Sequence, residues 1–276
     1  MKNVLAVLIA FTIITLPSCT NSKPLVKKPL VIAHRGASGY APENTLASIK
    51  KALEFKPDYI EIDVHYSKEK EVMVLHDHTL ERTSNGKGDV TDYTKAELQA
   101  FDAGAWFGEE FKGEKIPTLA EIVEAINGQS ILLIEVKKGK DYYIGIEQKI
   151  DSIIKAHNAT AWCEVQSFYD HYVEGFIAIQ PDYKIHKLIV GDISWLPLYI
   201  DHKPRFGNPY GWGNKVAGIN PSRKFASQGF INKLHEKGYT CFSYTVNEPE
   251  DIKKLIERGI DGIITNYPDR VAKVFE

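Results

Sequence analysis

Short apolar runs alternating with amphipathic segments from Leu30 to Thr265 predict an α/β protein folded as one parallel (β/α)8 barrel. Two further observations point the same way. No repeat, long insertion or break in composition marks a second domain. Ionisable residues also recur at the C-terminal ends of the apolar runs, the face on which such barrels carry their chemistry. An open, doubly wound sheet is the other topology that this alternation allows.

Taken in order, the chain opens with a different kind of segment. Lys2 precedes an apolar run from Val4 to Leu16 that closes on Leu16-Pro17-Ser18-Cys19. That run is too short to span a bilayer comfortably and has the layout of an export signal. A cysteine after a small residue resembles a bacterial lipoprotein cleavage site. Residues 1–18 are therefore read as a signal peptide and Cys19 as the lipidated first residue of the mature chain. An ordinary secretory leader with an incidental cysteine is the alternative. Residues 19–29 are polar and lysine-containing, as a tether would be, and residues 30–276 form the folded domain. The expected location is outside the cytoplasm, membrane-anchored and facing periplasm or cell exterior.

The domain has the composition of a globular protein: over all 276 residues, 43% are hydrophobic and 25% charged. A net charge of −2 offers no basic field and argues against a general nucleic-acid binder. Cys163 and Cys241 sit in apolar, β-like segments and are expected to be free, buried thiols.

Nine runs read as strands: Leu30–Ala33, Tyr59–Val64, Val72–Asp77, Ile131–Val136, Trp162–Ser167, Ile185–Val190, Val216–Ile219, Tyr239–Val246 and Asp261–Thr265. Helices are expected over Glu43–Phe55, with Leu46, Ile49, Ala52 and Leu53 on one face, and over Lys95–Ala100. Another begins at Pro117-Thr118 and reaches Ile126, with Thr118 as N-cap and Glu121 three residues on. Further helices are read over Ile144–Ala156, from Ser167 to Ile179, up to about Gly238, and over Pro249–Arg258. Gly191–Lys215 reads as a long irregular stretch. Nine strands exceed the eight places of a barrel. The run before His76, preceded by a link too short for a helix, and the weak run Val216–Ile219 are the candidates for a peripheral position.

The strand ends collect a definite chemistry. The first gives His34 and Arg35, the second Glu61 and Asp63, the third His76, and the run from Ile131 gives Glu135 and Lys137. Spacing of i, i+2 puts Glu61 with Asp63, and Glu135 with Lys137, on one strand face. Three carboxylates converging on one mouth repel one another unless a cation or proton compensates. An oxygen-only set selects a hard divalent ion, magnesium or calcium. Two imidazoles can share general acid and general base roles, and Arg35 and Lys137 suit an anionic substrate. Together these point to phosphoryl chemistry on a diester. Glu43 is read as serving a helix N-terminus or orienting Arg35. His65, His78, His157 and His171 are read as surface or supporting groups.

His34-Arg35-Gly36, Pro42-Glu43-Asn44-Thr45, Glu61-Ile62-Asp63-Val64, His76-Asp77, Ile116-Pro117-Thr118-Leu119 and Glu135-Val136-Lys137 occur in this order, followed by Gln166-Ser167-Phe168, Tyr244-Thr245-Val246-Asn247 and the run Asp261–Asp269. From about Leu30 to its end the chain thus resembles the glycerophosphodiester phosphodiesterase family. The resemblance implies a TIM barrel that hydrolyses glycerophosphodiesters to glycerol 3-phosphate and an alcohol with one divalent metal ion. It implies His34 and His76 as the acid/base pair, Glu61, Asp63 and Glu135 as metal ligands, and Arg35 and Lys137 on the phosphate. It further implies that 78–116 is a small insertion over the active-site face. Tyr244 stands where the family commonly has tryptophan, and is expected to line the pocket for the alcohol. Asn266 replaces a common aspartate, and Ser67–Glu71 replaces the usual Thr-x-Asp-Gly turn. A relative acting on phospholipids or lysophospholipids, and a non-catalytic lipoprotein binding phosphate ligands, are the competing functions.

Overall fold

The computed structural model of the protein describes residues 27–179, 181–193 and 198–274. The leader, Cys19 and most of the tether lie outside the described residues. Strand β1 (Leu30–Ala33) leads to helix α1 (Leu46–Glu54), and β2 (Tyr59–Tyr66) turns back as β3 (Val72–Val74). Then come α2 (Lys95–Leu98), α3 (Leu119–Ile126), β4 (Ile131–Val136), α4 (Ile146–Ala156), β5 (Cys163–Ser167), α5 (Asp170–Ile179) and β6 (Ile185–Ile189). Strands β7 (Gly191–Ile193), β8 (Leu198–Ile200) and β9 (Pro204–Phe206) precede β10 (Gly218–Pro221) and α6 (Gln228–Glu236). The described chain closes with β11 (Phe242–Ser243), α7 (Pro249–Glu257), β12 (Gly262–Thr265) and α8 (Pro268–Lys273).

Eight strands run parallel in the order β10-β6-β5-β4-β2-β1-β12-β11. Parallel bridges Gly218 to Thr240 and Ser222 to Tyr244 join the two ends of that order. An open sheet is thereby excluded, and the fold is a (β/α)8 barrel. Residues that alternate along the strands face opposite ways. Ile60, Ile62, Val64, Ile134 and Val136 pack outward on Ile49, Ala52, Leu119 and Ile150 of the helices. Ile32, Tyr59, Leu133, Phe242 and Ile264 form a separate apolar plug from the alternate positions. Glu61, Asp63 and Glu135 continue the same inward faces, one or two residue pairs nearer the strand C-termini.

The ninth strand is β3, and its position has a simple cause. Only five residues separate Tyr66 from Val72, whereas a parallel return needs a crossover of a dozen or more. Ser67 N–H donates to the Glu71 carbonyl at 2.9 Å, closing a turn with Lys70 at φ 61°. β3 therefore pairs antiparallel with the end of β2, Val64 opposite Val74 and Tyr66 opposite Val72. The weak run near Val216 is not peripheral; shifted to Gly218–Pro221, it is a barrel strand.

Two other readings are corrected. The first helix starts at Leu46 rather than Glu43, because Asn44 takes a left-handed φ of 59° and Thr45 is the N-cap. The stretch after Gly191 is not wholly irregular: β7, β8 and β9 make a small antiparallel sheet whose three-residue strands are too short to show periodicity. It is pinned to the barrel by Arg205, which bonds Asp170 at 2.6 Å and lies 2.9 Å from Asp201. Lys187, fully buried on β6, pairs with the same two carboxylates and donates to the Phe168 carbonyl. Cys163 and Cys241 are free and buried, as expected.

The reading at Thr118 holds. Glu121 N–H donates to Thr118 Oγ1 at 3.2 Å, and Glu121 Oε2 accepts from Thr118 N–H at 2.7 Å, a reciprocal cap over α3. Thr118→Ala is expected to cost about 1 kcal/mol of unfolding free energy, read by chemical denaturation. A change indistinguishable from zero would mean the cap is redundant.

Candidate active site

β1 ends at the cavity with a strained turn. Arg35 has a left-handed φ of 53°, uncommon outside glycine. Its N–H donates to Glu61 Oε2 at 3.0 Å, and its carbonyl accepts from Ser48 Oγ at 3.0 Å and Asn44 N–H at 3.0 Å, which holds the conformation. Gly36 follows with φ 76°, and a Cβ there would lie 2.5 Å from Ser48 Oγ. Only glycine lets the turn approach α1 so closely. The result sends Arg35 across the β2 carboxylates, its NH1 2.8 Å from Glu43 Oε1 and its Nε 3.2 Å from Asp63 Oδ2.

Glu61, Asp63 and Glu135 each offer an oxygen within 4.8 Å of the others, and all three are buried. Asn44 Nδ2 donates to Asp63 Oδ2 at 2.9 Å, and Asp63 N–H donates back to Asn44 Oδ1 at 3.2 Å, which fixes that side chain. Lys137 Nζ donates to Glu135 Oε1 at 2.7 Å and lies 3.5 Å from Asp63 Oδ1. Burial, with the Asp63 and Glu135 charges, pushes Glu61 well above the usual carboxylate range. Burial also raises Glu135, and neighbouring Lys137 only partly offsets this. Asp63 goes the other way: burial opposes its charge, but Lys137 and Arg35 outweigh it and hold it low. Burial likewise opposes the Lys137 charge, yet Glu135 and Asp63 keep the ammonium protonated. Glu61 Oε1 and Asp63 Oδ1 are buried without a hydrogen-bond donor. Two orphaned oxygens beside a third carboxylate fit a hard divalent cation, which would satisfy them and relieve the repulsion.

The two imidazoles are held by different means. His34 Nδ1 bonds Asn266 Oδ1 at 2.7 Å, leaving Nε2 4.0 Å from Glu61 Oε2. Burial, then the Arg35 charge, lower His34 to about 3, so it is uncharged at neutral pH. His76 Nδ1 lies 2.6 Å from Asp77 Oδ1, a carboxylate that only accepts, so Nδ1 carries the proton. Its Nε2 accepts from Lys137 Nζ at 3.0 Å. The β2–β3 hairpin brings His76 here, since Leu75 N–H donates to the Asp63 carbonyl at 3.1 Å. His65 is buried rather than on the surface, between Tyr143 Oη at 2.8 Å and the His76 carbonyl at 3.0 Å.

His34, Arg35, Glu61, His76, Glu135 and Lys137 line a cavity of about 260 Å³, with Gln166, Phe168, Leu188 and Tyr244 among the rest of its wall. Tyr244 Oη donates to the Ile189 carbonyl at 2.7 Å, and its ring meets Phe168 edge-on at 5.7 Å. All eight domain residues singled out from the sequence, His34, Arg35, Glu61, Asp63, His76, Glu135, Lys137 and Tyr244, converge on this one face. Sequence reasoning did not assign roles to Asn44, Asp77, Arg82 and Gln166. Asn44, Asp77 and Gln166 stand in motifs already noted. Arg82 lies in a turn with no local signal.

A barrel whose mouth gathers cations, imidazoles and three carboxylates that could hold a hard ion is the arrangement expected of a hydrolase of phosphoesters. Comparison with known proteins narrows the class. The profile of the Glycerophosphoryl diester phosphodiesterase family matches residues 34–270. A glycerophosphodiester phosphodiesterase of Caldanaerobacter subterraneus subsp. tengcongensis is 37% identical over 244 residues, covering 88% of this chain and 96% of that one. One from Bacillus altitudinis is 34% identical, covering 89% and 98%. A phosphodiesterase of Oleispira antarctica, solved in complex with the product sn-glycerol-3-phosphate, has a TM-score of 0.75 at 28% identity, covering 90% of this chain and 96% of that one. The chain belongs to the glycerophosphodiester phosphodiesterase family and is an enzyme of that class.

Divalent cation added to metal-free protein is expected to raise the unfolding midpoint, by about 2.7 kcal/mol of stability at a hundredfold excess over Kd. Glu61→Gln should lose most of that gain. Protons compete with the ion at the raised Glu61 and Glu135, so the gain should shrink as pH falls. A gain that grows toward acid would rule out these ligands.

Proposed function

We propose that the enzyme hydrolyses glycerophosphodiesters to glycerol 3-phosphate and an alcohol, with His34 and His76 as its proton-transfer pair. One observation carries this reading. Each imidazole has its Nδ1 engaged, by Asn266 or Asp77, so that Nε2 is the atom presented at the cavity. Two such atoms flanking a carboxylate cluster suit a displacement in which one proton leaves and another arrives. The product bound in the Oleispira antarctica phosphodiesterase is the product proposed here.

Glu61, Asp63 and Glu135 would hold the divalent ion, magnesium or calcium, which supplies Lewis acidity toward a nonbridging phosphate oxygen. Arg35 and Lys137 offset the charge that develops on the phosphoryl oxygens. Lys137 is held by Glu135 and His76, and an arriving phosphate competes for its remaining donor. One imidazole accepts the proton of the nucleophile, water or the glycerol 2-hydroxyl. As the phosphorus–oxygen bond to the alcohol breaks, the other, having entered the step as an imidazolium protonated on both nitrogens, gives its Nε2 proton to the leaving oxygen and returns to the neutral Nδ1–H form. Tyr244 and Phe168 present an apolar wall for the departing alcohol. The same reading has the enzyme exported and held at a membrane by lipid on Cys19, on the strength of the apolar leader and its closing Ser18-Cys19. Among the described residues no helix is long and apolar enough to cross a membrane.

The test is a panel of glycerophosphodiesters and lysophospholipids with and without chelator, following glycerol 3-phosphate released from the former and lysophosphatidate from the latter. Chelator-sensitive release from at least one glycerophosphodiester is expected, and none from any head group would refute the reading. His34→Ala and His76→Ala should each lose on the order of a hundred- to ten-thousandfold in kcat while circular dichroism stays unchanged. Near-full activity in either would remove that histidine from the pair.

A further inference from the structure

Arg82 does not line the cavity, yet its guanidinium touches the support of both sides of the site. Its Nε donates to Asp77 Oδ2 at 2.6 Å. NH1 and NH2 grip Glu43 as a fork, at 2.9 Å to Oε2 and 2.8 Å to Oε1. Asp77 turns its other oxygen to His76 Nδ1 at 2.6 Å, and Glu43 Oε1 also accepts from Arg35 NH1 at 2.8 Å. One planar cation thus closes an unbroken series of hydrogen bonds from His76 through Asp77, Arg82 and Glu43 to Arg35.

We propose that Arg82 is a positioning residue, locking the partners of His76 and Arg35 into one rigid frame across the site. The proposal rests on the roles given above to His76 and Arg35. Stability alone is a poor account of these bonds. Arg82 is 45% exposed, and ion pairs that open to water contribute little to folding. Geometry is what the fork supplies: a two-pronged contact sets the plane of the Glu43 carboxylate, and the third bond holds Asp77 from the same plane. A lysine carries the charge without the fork.

Arg82 is itself held in place by its own segment. Leu80, two residues earlier, is buried with Val90, Leu98, Ala103 and Ile116 on Met73 and Leu75, the residues leading to His76. Leu80 N–H donates to the Gly88 carbonyl, and Ser84 N–H to the Leu80 carbonyl, each at 3.1 Å. The segment between β3 and α3 therefore grips both His76's own strand and the arginine that orients His76. Partners of this kind are worth about ten- to a hundredfold in activity, because small misplacements of reacting groups are costly.

Steady-state kinetics on the full chain test this, with glycerophosphocholine at saturating divalent ion. Arg82→Ala should lower kcat about ten- to a hundredfold with KM within about threefold of wild type, and Arg82→Lys should recover part of the loss. In Asp77→Asn/Arg82→Ala the combined loss should fall short of the product of the single losses, since both act through one series of bonds. Wild-type kcat in Arg82→Ala, a loss confined to KM, or fully multiplicative losses would each overturn the proposal. Should Arg82→Ala fail to fold, Arg82→Lys carries the same expectation at smaller amplitude. His76→Ala run alongside separates the claims. An active His76→Ala removes the underlying reading, whereas an inactive one beside an unimpaired Arg82→Ala removes only the positioning role.

Discussion

Three carboxylates buried within 4.8 Å of one another are the constraint to which the rest of the site answers. Ionised carboxylates at that spacing, away from water, are strongly unfavourable unless paired. The chain meets this with cations from two directions, Arg35 from the end of β1 and Lys137 from the end of β4, and with an Asn44 amide on Asp63. The compensation is incomplete, since Glu61 Oε1 and Asp63 Oδ1 keep no donor. Two buried oxygens without a donor fit the cluster to a hard cation better than to a closed salt-bridge core.

The same constraint explains the unusual backbone around it. For Arg35 to reach over β2, the chain must leave β1 abruptly, and it does so through a left-handed arginine and a glycine against Ser48. The Arg35 N–H then bonds Glu61 directly, so the strained turn and the carboxylate stabilise each other. Strain of this type persists where surrounding contacts over-determine it.

The imidazoles enter from outside that cluster, and differently. His34 is an extension of a barrel strand, but His76 belongs to no barrel strand. It arrives on the return arm of a hairpin, and its carbonyl is held by buried His65, with Asp77 at its ring. Hanging a cavity-lining imidazole on an added arm asks for extra support, and the segment after β3 brings its own apolar cluster beneath it. On the far side, β7–β9 is tied down by a buried lysine and two aspartates rather than by apolar burial alone.

Much of this was legible in the chain itself. Alternating periodicity located the barrel, and a polar residue closing each apolar run located its mouth, because position on a strand dictates facing. The reciprocal cap at Thr118 and Glu121 was likewise readable, being local. What required the fold was everything set by pairing across the chain. The short link before Val72 already marked one of two runs that could stand outside the barrel, but that the other, Gly218–Pro221, is a barrel strand was decided only by its pairing with β6. Asn44 and Arg82 sit beside Asp63, Asp77 and Glu43 only because a strained turn and the segment between β3 and α3 fold back on the site. The sequence by itself determined the chemical groups and the face on which they gather, since both follow from local period and residue type. Only the tertiary structure decided which groups touch, because those contacts are made by backbone turns and folded-back loops that bring distant residues within bonding reach.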